Sequence, residues 1–279
     1  MQQLQQPPQQ QEQYLFSCAN DDESSTSLSG LLLAACEVGD SSAVRELLLV
    51  HASTTPNPRL DVNCARPRGD LAPPLLLAAA AGSSETVALL IQAGSDVDGC
   101  SMHDVTAVMA ASERGHVACV SALASAGANV NLVRADGSDA LMLAAQANQA
   151  AAVTVLLAFG ACASYARPGD RETAIMAASR RGAADALAVL LAAAAAAAAP
   201  ASPAAVVDSA RRDDLWTALH LAARQGHSAC IALLLQAGAD PLKLNAQGRT
   251  AYDIATHHHH EAAASMLERG EAGQRELAQ

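Results

Sequence analysis

Few side chains in this sequence have both the type and the spacing that chemistry requires. His257 to His260 is the only dense cluster of metal-ligand side chains. Consecutive residues of a helix point in different directions, whereas two imidazoles that share one metal normally sit at i and i+4. The tract therefore reads as a homopolymer run, like the glutamines and alanines elsewhere, with adventitious nickel or zinc affinity and no resident metal. Seven cysteines are an odd number and none forms a C-x-x-C pair, so neither a disulfide framework nor a four-ligand zinc site is indicated. No G-x-S-x-G, G-x-x-x-x-G-K-[ST] or H-E-x-x-H occurs, and no acid, base and nucleophile recur together. The chain reads as non-enzymatic and without a cofactor. What remains is recognition chemistry: paired charges at Arg180-Arg181 and Glu113-Arg114, a further arginine at Arg224, and Trp216, the only tryptophan.

The elements that must position these residues are copies of one segment, Thr217 to Asp240. Thr217 suits an N-cap, and Ala218 to Arg224 are helix formers. Gly226-His227 interrupts that short helix, and a second one resumes at Ser228 with an apolar face of Ile231, Leu233, Leu234 and Leu235. Gly238 stops it, because a residue just past a helix end commonly needs a positive φ that glycine alone adopts without a Cβ penalty. Weaker copies start near Gly30, Pro73, Thr106, Asp139, Thr173 and Thr250, which makes seven at successive intervals of 43, 33, 33, 34, 44 and 33 residues. Neither helix of a copy can bury its face alone, so the repeat is the unit of stability.

Thr217, Leu219, His220 and Ala222 match the signature T-P-L-H-x-A, with Ala218 in the proline's place, and four of the six intervals sit at a period of about 33, so the chain resembles the ankyrin repeat. The resemblance implies an all-α solenoid of stacked helix-turn-helix units with inter-repeat β-turn fingers. It implies a His220 imidazole that ties neighbouring turns by hydrogen bonds, and a scaffold without chemistry of its own whose variable surface binds other proteins.

The expected organisation is a single ankyrin repeat domain over residues 28–270, with insertions near 52–60 and 192–207. A disordered Gln/Pro- and Asp/Ser-rich tail precedes it (1–27) and a polar tail follows it (271–279). The cap glycine lies 21 residues after the origin in four copies, as Gly94, Gly127, Gly160 and Gly238, and is His51 or Ala194 in the two copies that precede a long interval. Where the helix stop is missing the chain runs on. The run Ala192 to Ala199, ended by Pro200, should extend the second helix of the fifth copy, and it is too short to span a membrane. The last copy, with Asp253 at the histidine position, reads as a terminal capping repeat.

Apolar residues make up 51% of the chain but aromatic ones 2%, so the core must be built from Leu, Val, Ile and Ala. Small side chains bury little area each, and modest stability with fraying at the first copy is expected. A net charge of −11 argues against a general binder of nucleic acids or anionic membranes. The N-terminus lacks the basic start and apolar run of a signal peptide, which makes a cytosolic or nuclear compartment the default. Cys119 and Cys230 occupy equivalent core-facing positions of two second helices and read as small buried hydrophobes.

In the family the usual target surface combines the fingers with the ends of the first helices. Mapped onto this chain, the helix ends carry Glu113 and Arg114, then Arg180 and Arg181, then Arg224. The fingers carry Met102 and His103, then Asp136, then Asp170 and Glu172, then Asp213, Asp214 and Trp216. Exposed Trp beside Arg has the composition of an interface hot spot. The expected site is thus a groove taking an extended or helical partner segment, with carboxylates on Arg180, Arg181 and Arg224 and an apolar group on Trp216. Two alternatives stay open. Trp216 could fold over the alanine-rich insertion, and the arginines could pair with Asp170, Asp213 and Asp214 as a solvated face worth little. A monomeric array with protein partners is expected; a spacer whose tail or insertion carries the contacts is the other reading.

Overall fold

The computed structural model describes residues 28–53, 60–65, 71–197 and 206–277. The tail expected at 1–27, most of the first insertion and residues 198–205 of the second lie outside the described residues. The described residues form seven helix pairs. These are α1 (Leu28–Val38) with α2 (Ser41–Ser53), α3 (Pro74–Ala81) with α4 (Ser84–Gln92), α5 (Ala107–Arg114) with α6 (Val117–Ser125), and α7 (Ala140–Gln146) with α8 (Ala150–Ala158). Then follow α9 (Ala174–Arg181) with α10 (Ala184–Ala197), α11 (Ala218–Gln225) with α12 (Ser228–Gln236), and α13 (Ala251–His257) with α14 (Glu261–Leu277). Among the described residues the only β pairing is three isolated antiparallel bridges, Cys100 with Thr106, Val133 with Asp139 and Ala166 with Thr173, each closing a finger between repeats.

Local chemistry sets where each first helix starts. The Asp139 carboxylate accepts the Met142 N–H at 2.8 Å, and the Thr173 hydroxyl accepts the Met176 N–H at 3.3 Å. Thr250 and Asp253 satisfy each other, the hydroxyl accepting the Asp253 N–H at 3.2 Å and the carboxylate the Thr250 N–H at 2.9 Å. Thr217 is the expected N-cap and forms a capping box with His220, its hydroxyl also lying 2.8 Å from His220 Nδ1. His220 Nε2 lies 3.2 Å from the Arg249 carbonyl, which can only accept. The proton is therefore on Nε2 and Nδ1 accepts, including from the Thr217 N–H at 3.2 Å. Burial disfavours the charged imidazolium, which agrees with this neutral tautomer. His220 thus ties its repeat to the following finger. The equivalent residues in three earlier copies are Met109, Met142 and Met176, all essentially buried, so there apolar packing replaces the hydrogen-bonded tie.

Second helices end as their last residues dictate. Gly94, Gly127, Gly160 and Gly238 have φ of 88°, 93°, 85° and 86°. Helix α12, which stops before such a glycine, has 9 residues. Where the glycine is missing, α2 runs to 13 residues and α10 to 14. The alanine run extends α10 because alanine is the best helix former and nothing in the run terminates it. At the other helix break the stop is sterically shaped as well. A Cβ on Gly226 would meet the His260 ring at 2.7 Å, whereas a Cβ on Gly238 meets nothing within 4 Å. Gly238→Ala is therefore expected to cost about 1 kcal/mol through φ strain alone, and Gly226→Ala roughly twice that. Equal shifts of the urea midpoint for the two variants would refute the steric part.

The described residues divide into two compact units, those up to 111 with 118–129, and 112–117 with those from 130 onward. In the first unit α1 packs on α3 and α2 on α4. In the second, α7, α9, α11 and α13 form one row and α8, α10, α12 and α14 lie behind it. Apolar side chains fill the space between the rows, Leu156, Leu187, Leu190 and Leu219 among the largest that are fully buried. Cys119 and Cys230 are fully buried, and burial pushes the Cys230 thiol up to about 11.

A ladder of side-chain bridges runs beside the fingers. Asn63 accepts the Asp96 N–H, Asp98 the Asn129 N–H, Asn131 the Cys162 N–H and Asp208 the Asp240 N–H, all at 2.8 to 3.0 Å. Asp208 follows the second insertion, so the chain is back in register nine residues before Thr217. The last helix corrects one boundary: the polar stretch expected as a tail from 271 continues α14 to Leu277. Glu, Ala, Gln and Arg are strong helix formers, and Gly270 and Gly273 without a proline do not end the helix.

Candidate protein-binding site

The site lies in the second unit, where two adjacent first helices end. The last turn of α9 carries Arg180 and Arg181, that of α11 carries Arg224 and Gln225, and His227 follows Gly226. These five residues line an open depression of about 440 Å³. Cations are favoured here because the C-terminal end of a helix carries partial negative charge. The side chains nevertheless differ in what holds them.

Arg180 is anchored. Its Nε donates to Glu172 Oε1 at 2.9 Å, and Glu172 is buried, with 1% of its surface exposed. Arg224 is held by aromatic contact, its guanidinium carbon 5.6 Å from the centre of the Trp216 ring, which in turn lies 6.0 Å from the His220 ring. Arg181 is exposed and makes no hydrogen bond or ion pair with a described residue. Trp216 is half-buried, held against His220 and Arg224 of its own repeat.

Three of the acidic finger residues, Asp170, Glu172 and Asp214, are used locally. Asp170 takes Arg167 at 2.7 Å and Arg211 at 3.5 Å, Glu172 takes Arg167 at 2.6 Å as well as Arg180, and Asp214 takes Arg211 at 3.7 Å. Hydrogen bonds from Arg167 hold the Asp170 carboxyl down to about 2. Asp214 also accepts the Trp216 N–H at 3.2 Å, which orients the start of the tryptophan segment. Of the pairings weighed for the arginine row, only Arg180 has an acidic partner, and that partner is Glu172; Arg181 and Arg224 have none among the described residues.

The structure brings Arg180, Arg181, Arg224 and Trp216 together, with Asp214 behind the tryptophan. Asp213 is an exposed finger residue. Glu113 and Arg114 are exposed at the end of α5 and do not line the depression. Met102 and His103 are exposed on a finger of the first unit. Among the described residues no group of three or more His, Cys, Asp or Glu side chains is placed to hold a metal ion. His259 takes the left-handed position that glycine holds in other copies, with φ of 59°, and His260 Nε2 bonds the Arg224 carbonyl at 3.1 Å. Half of this apparent homopolymer is therefore structural.

Gln225 was expected only as a helix-end position beside Arg224, and sequence reading missed His227 in the lining, the finger arginines Arg167 and Arg211, and Leu215. Leu215 is 48% exposed and has φ of +55°, at the position two before the repeat origin where Gly137 and Gly248 stand in two copies and Leu71, Asp104 and Arg171 also take positive φ in three others. A branched apolar side chain exposed on left-handed backbone is strained, and such strain collects at binding positions. Aligning the copies shows that the position takes left-handed backbone whatever its residue, and that Leu215 is the large apolar side chain it exposes beside the site. Leu215→Gly is expected to leave the thermal midpoint unchanged or raise it, by up to about 1 kcal/mol of stability. A lowered midpoint would mean that the leucine packs for stability.

The stacked pairs, the fingers between them and the variable face are those of a repeat-protein binding scaffold. The profile of the family described as ankyrin repeats (3 copies) matches residues 31–134, 126–200 and 201–275, and the chain belongs to that family. Among solved structures it is similar to the human ASB11 ankyrin repeat domain, with a TM-score of 0.70 and 24% identity over 86% of this chain and 97% of that one. It is also similar to the ankyrin repeat domain of Bcl-3, described as a unique member of the IkappaB protein family, with a TM-score of 0.66 and 22% identity over 85% of this chain and 97% of that one. None of the curated proteins compared with it matches. Ankyrin repeat domains are in general protein–protein interaction modules, and the fold is typically a non-enzymatic scaffold. No helix among the described residues is long and apolar enough to cross a membrane.

Proposed function

We propose that this chain is a non-enzymatic adaptor that binds an acidic segment of a partner protein on the face formed by the ends of α9 and α11 and the finger before α11. The observation that carries this reading is the convergence of Arg180, Arg181 and Arg224 on one depression while Asp170, Glu172 and Asp214 are held in ion pairs that leave Arg181 and Arg224 out. Arg181 and Arg224 receive the partner's acidic groups. Arg180 is a fixed wall, and Trp216 with Leu215 offers apolar surface. Pre-organisation helps: Arg224 on its ring and Arg180 on its carboxylate have less side-chain freedom to lose on binding.

The test is affinity capture from native cell extract with wild type and with a variant carrying Arg181→Glu, Arg224→Glu and Trp216→Ala, after circular dichroism has shown both folded. Partners that leave the variant, and leave wild type as salt is raised, support the site. Partners that persist on the variant and vanish when residues 1–27 are deleted instead support the spacer reading, in which the tail carries the contacts.

A further inference from the structure

Ion pairing on this face can be counted. The connected network contains three cations, Arg167, Arg180 and Arg211, and three anions, Asp170, Glu172 and Asp214. It is internally neutral. Arg181 and Arg224 stand outside it and line the same depression, whose other lining residues, Arg180, Gln225 and His227, include no carboxylate. The depression therefore presents two uncompensated positive charges in a chain whose net charge is −11. Arg224 cannot swing away without giving up its contact with Trp216.

A carboxylate brings one negative charge and two acceptor oxygens, so it satisfies one of the two free guanidinium groups and leaves the other beside it unmatched. A phosphorylated side chain brings about −1.5 to −2 and three acceptor oxygens, enough for both forks at once. The charge count and the donor count agree. Resting on the reading of this face as a partner-binding site, we propose that the depression between α9 and α11 accepts a phosphorylated side chain of the partner segment, with Arg181 and Arg224 as its two ligands and Gln225 as a neutral donor. The partner is recognised there in its phosphorylated form in preference to its acidic unmodified one.

Trp216 is the only tryptophan and touches Arg224, so its emission reports directly on the site. The full chain is titrated at constant ionic strength with capped Gly-pSer-Gly, Gly-Asp-Gly and Gly-Ser-Gly peptides and with inorganic phosphate. Broadening of the peptide phosphorus resonance serves as a second readout that does not depend on the tryptophan. The phosphorylated peptide is expected to bind saturably and at least about tenfold more tightly than Gly-Asp-Gly, with no response to Gly-Ser-Gly. Arg181→Gln should weaken it about tenfold, and Arg45→Gln, an equal loss of charge in the first unit, should leave it within about twofold. Equal binding of Gly-Asp-Gly would overturn phosphoryl selectivity while leaving the acidic-segment reading in place. Binding of inorganic phosphate as tight as that of the peptide would overturn the assignment to a partner side chain. Absence of both the emission change and the broadening would overturn the proposal, and the capture experiment would then decide separately whether the face binds anything.

Discussion

Glu172→Ala is expected to destabilise the second unit by about 3 kcal/mol, among the largest losses for a single residue here. Glu172 is buried and receives Arg167 at 2.6 Å and Arg180 at 2.9 Å, while its own carbonyl accepts the Arg167 N–H at 2.9 Å. Alanine keeps the backbone bond but removes the acidic partner of Arg180 and leaves Arg167 with Asp170 alone. Arg180 is partly exposed and rehydrates, which keeps the loss below that of a fully enclosed pair. A Glu172→Gln variant retains the shape and isolates the charge, so it should lie between alanine and wild type. The measurement is the urea midpoint by far-UV circular dichroism, with the slope checked for two-state behaviour. A loss below roughly half a kcal/mol would mean that the network is solvent-screened decoration, and the charge count that isolates Arg181 and Arg224 would lose its footing.

The second large effect has the opposite sign. Asp139 caps α7 from a buried position, and burial raises its carboxyl from 3.8 to about 6, overriding the N–H groups of Met142, of Leu141 and of its own residue that favour the charged form. A folded pKa above the unfolded one means that the protonated form is the stabilising one. That contribution is complete below about 4 and is lost as pH rises through about 6. Above pH 7 the charged carboxylate therefore costs on the order of 3 kcal/mol relative to its neutral form. Thr173 performs the same capping with an uncharged hydroxyl. Asp139→Thr should accordingly stabilise the protein at pH 7.5 by up to about 2 kcal/mol, with the gain shrinking toward zero at pH 4. Paired thermal melts across that range check it, and a pH-independent difference between the two proteins would sink the linkage.

Much of the fold was legible in the chain because a repeat writes the same local signals several times. Helix starts, glycine stops and the period could each be checked against other copies. The reason for the two long intervals was also local: a helix without a left-handed stop runs on, as α2 and α10 do. Single-copy features were harder. The histidine tract read as a low-complexity run, although His259 and His260 fill positions defined by other copies, left-handed backbone and a bond to the preceding repeat. Leu215 was overlooked because its strain is a property of φ rather than of residue type.

The candidate site divides along the same line. By itself the sequence determined the class of scaffold, the row of charges at the helix ends and the tryptophan before the best copy, since position within a repeat follows from spacing. Only the tertiary structure decided which charges were already spent. Arg167 and Arg180 share Glu172, Asp170 and Asp214 share Arg211, and Arg224 rests on Trp216. Ion pairing depends on distances of a few ångströms between side chains of neighbouring fingers and helices, and those distances are set by how the repeats stack. Composition and spacing along the chain do not contain them.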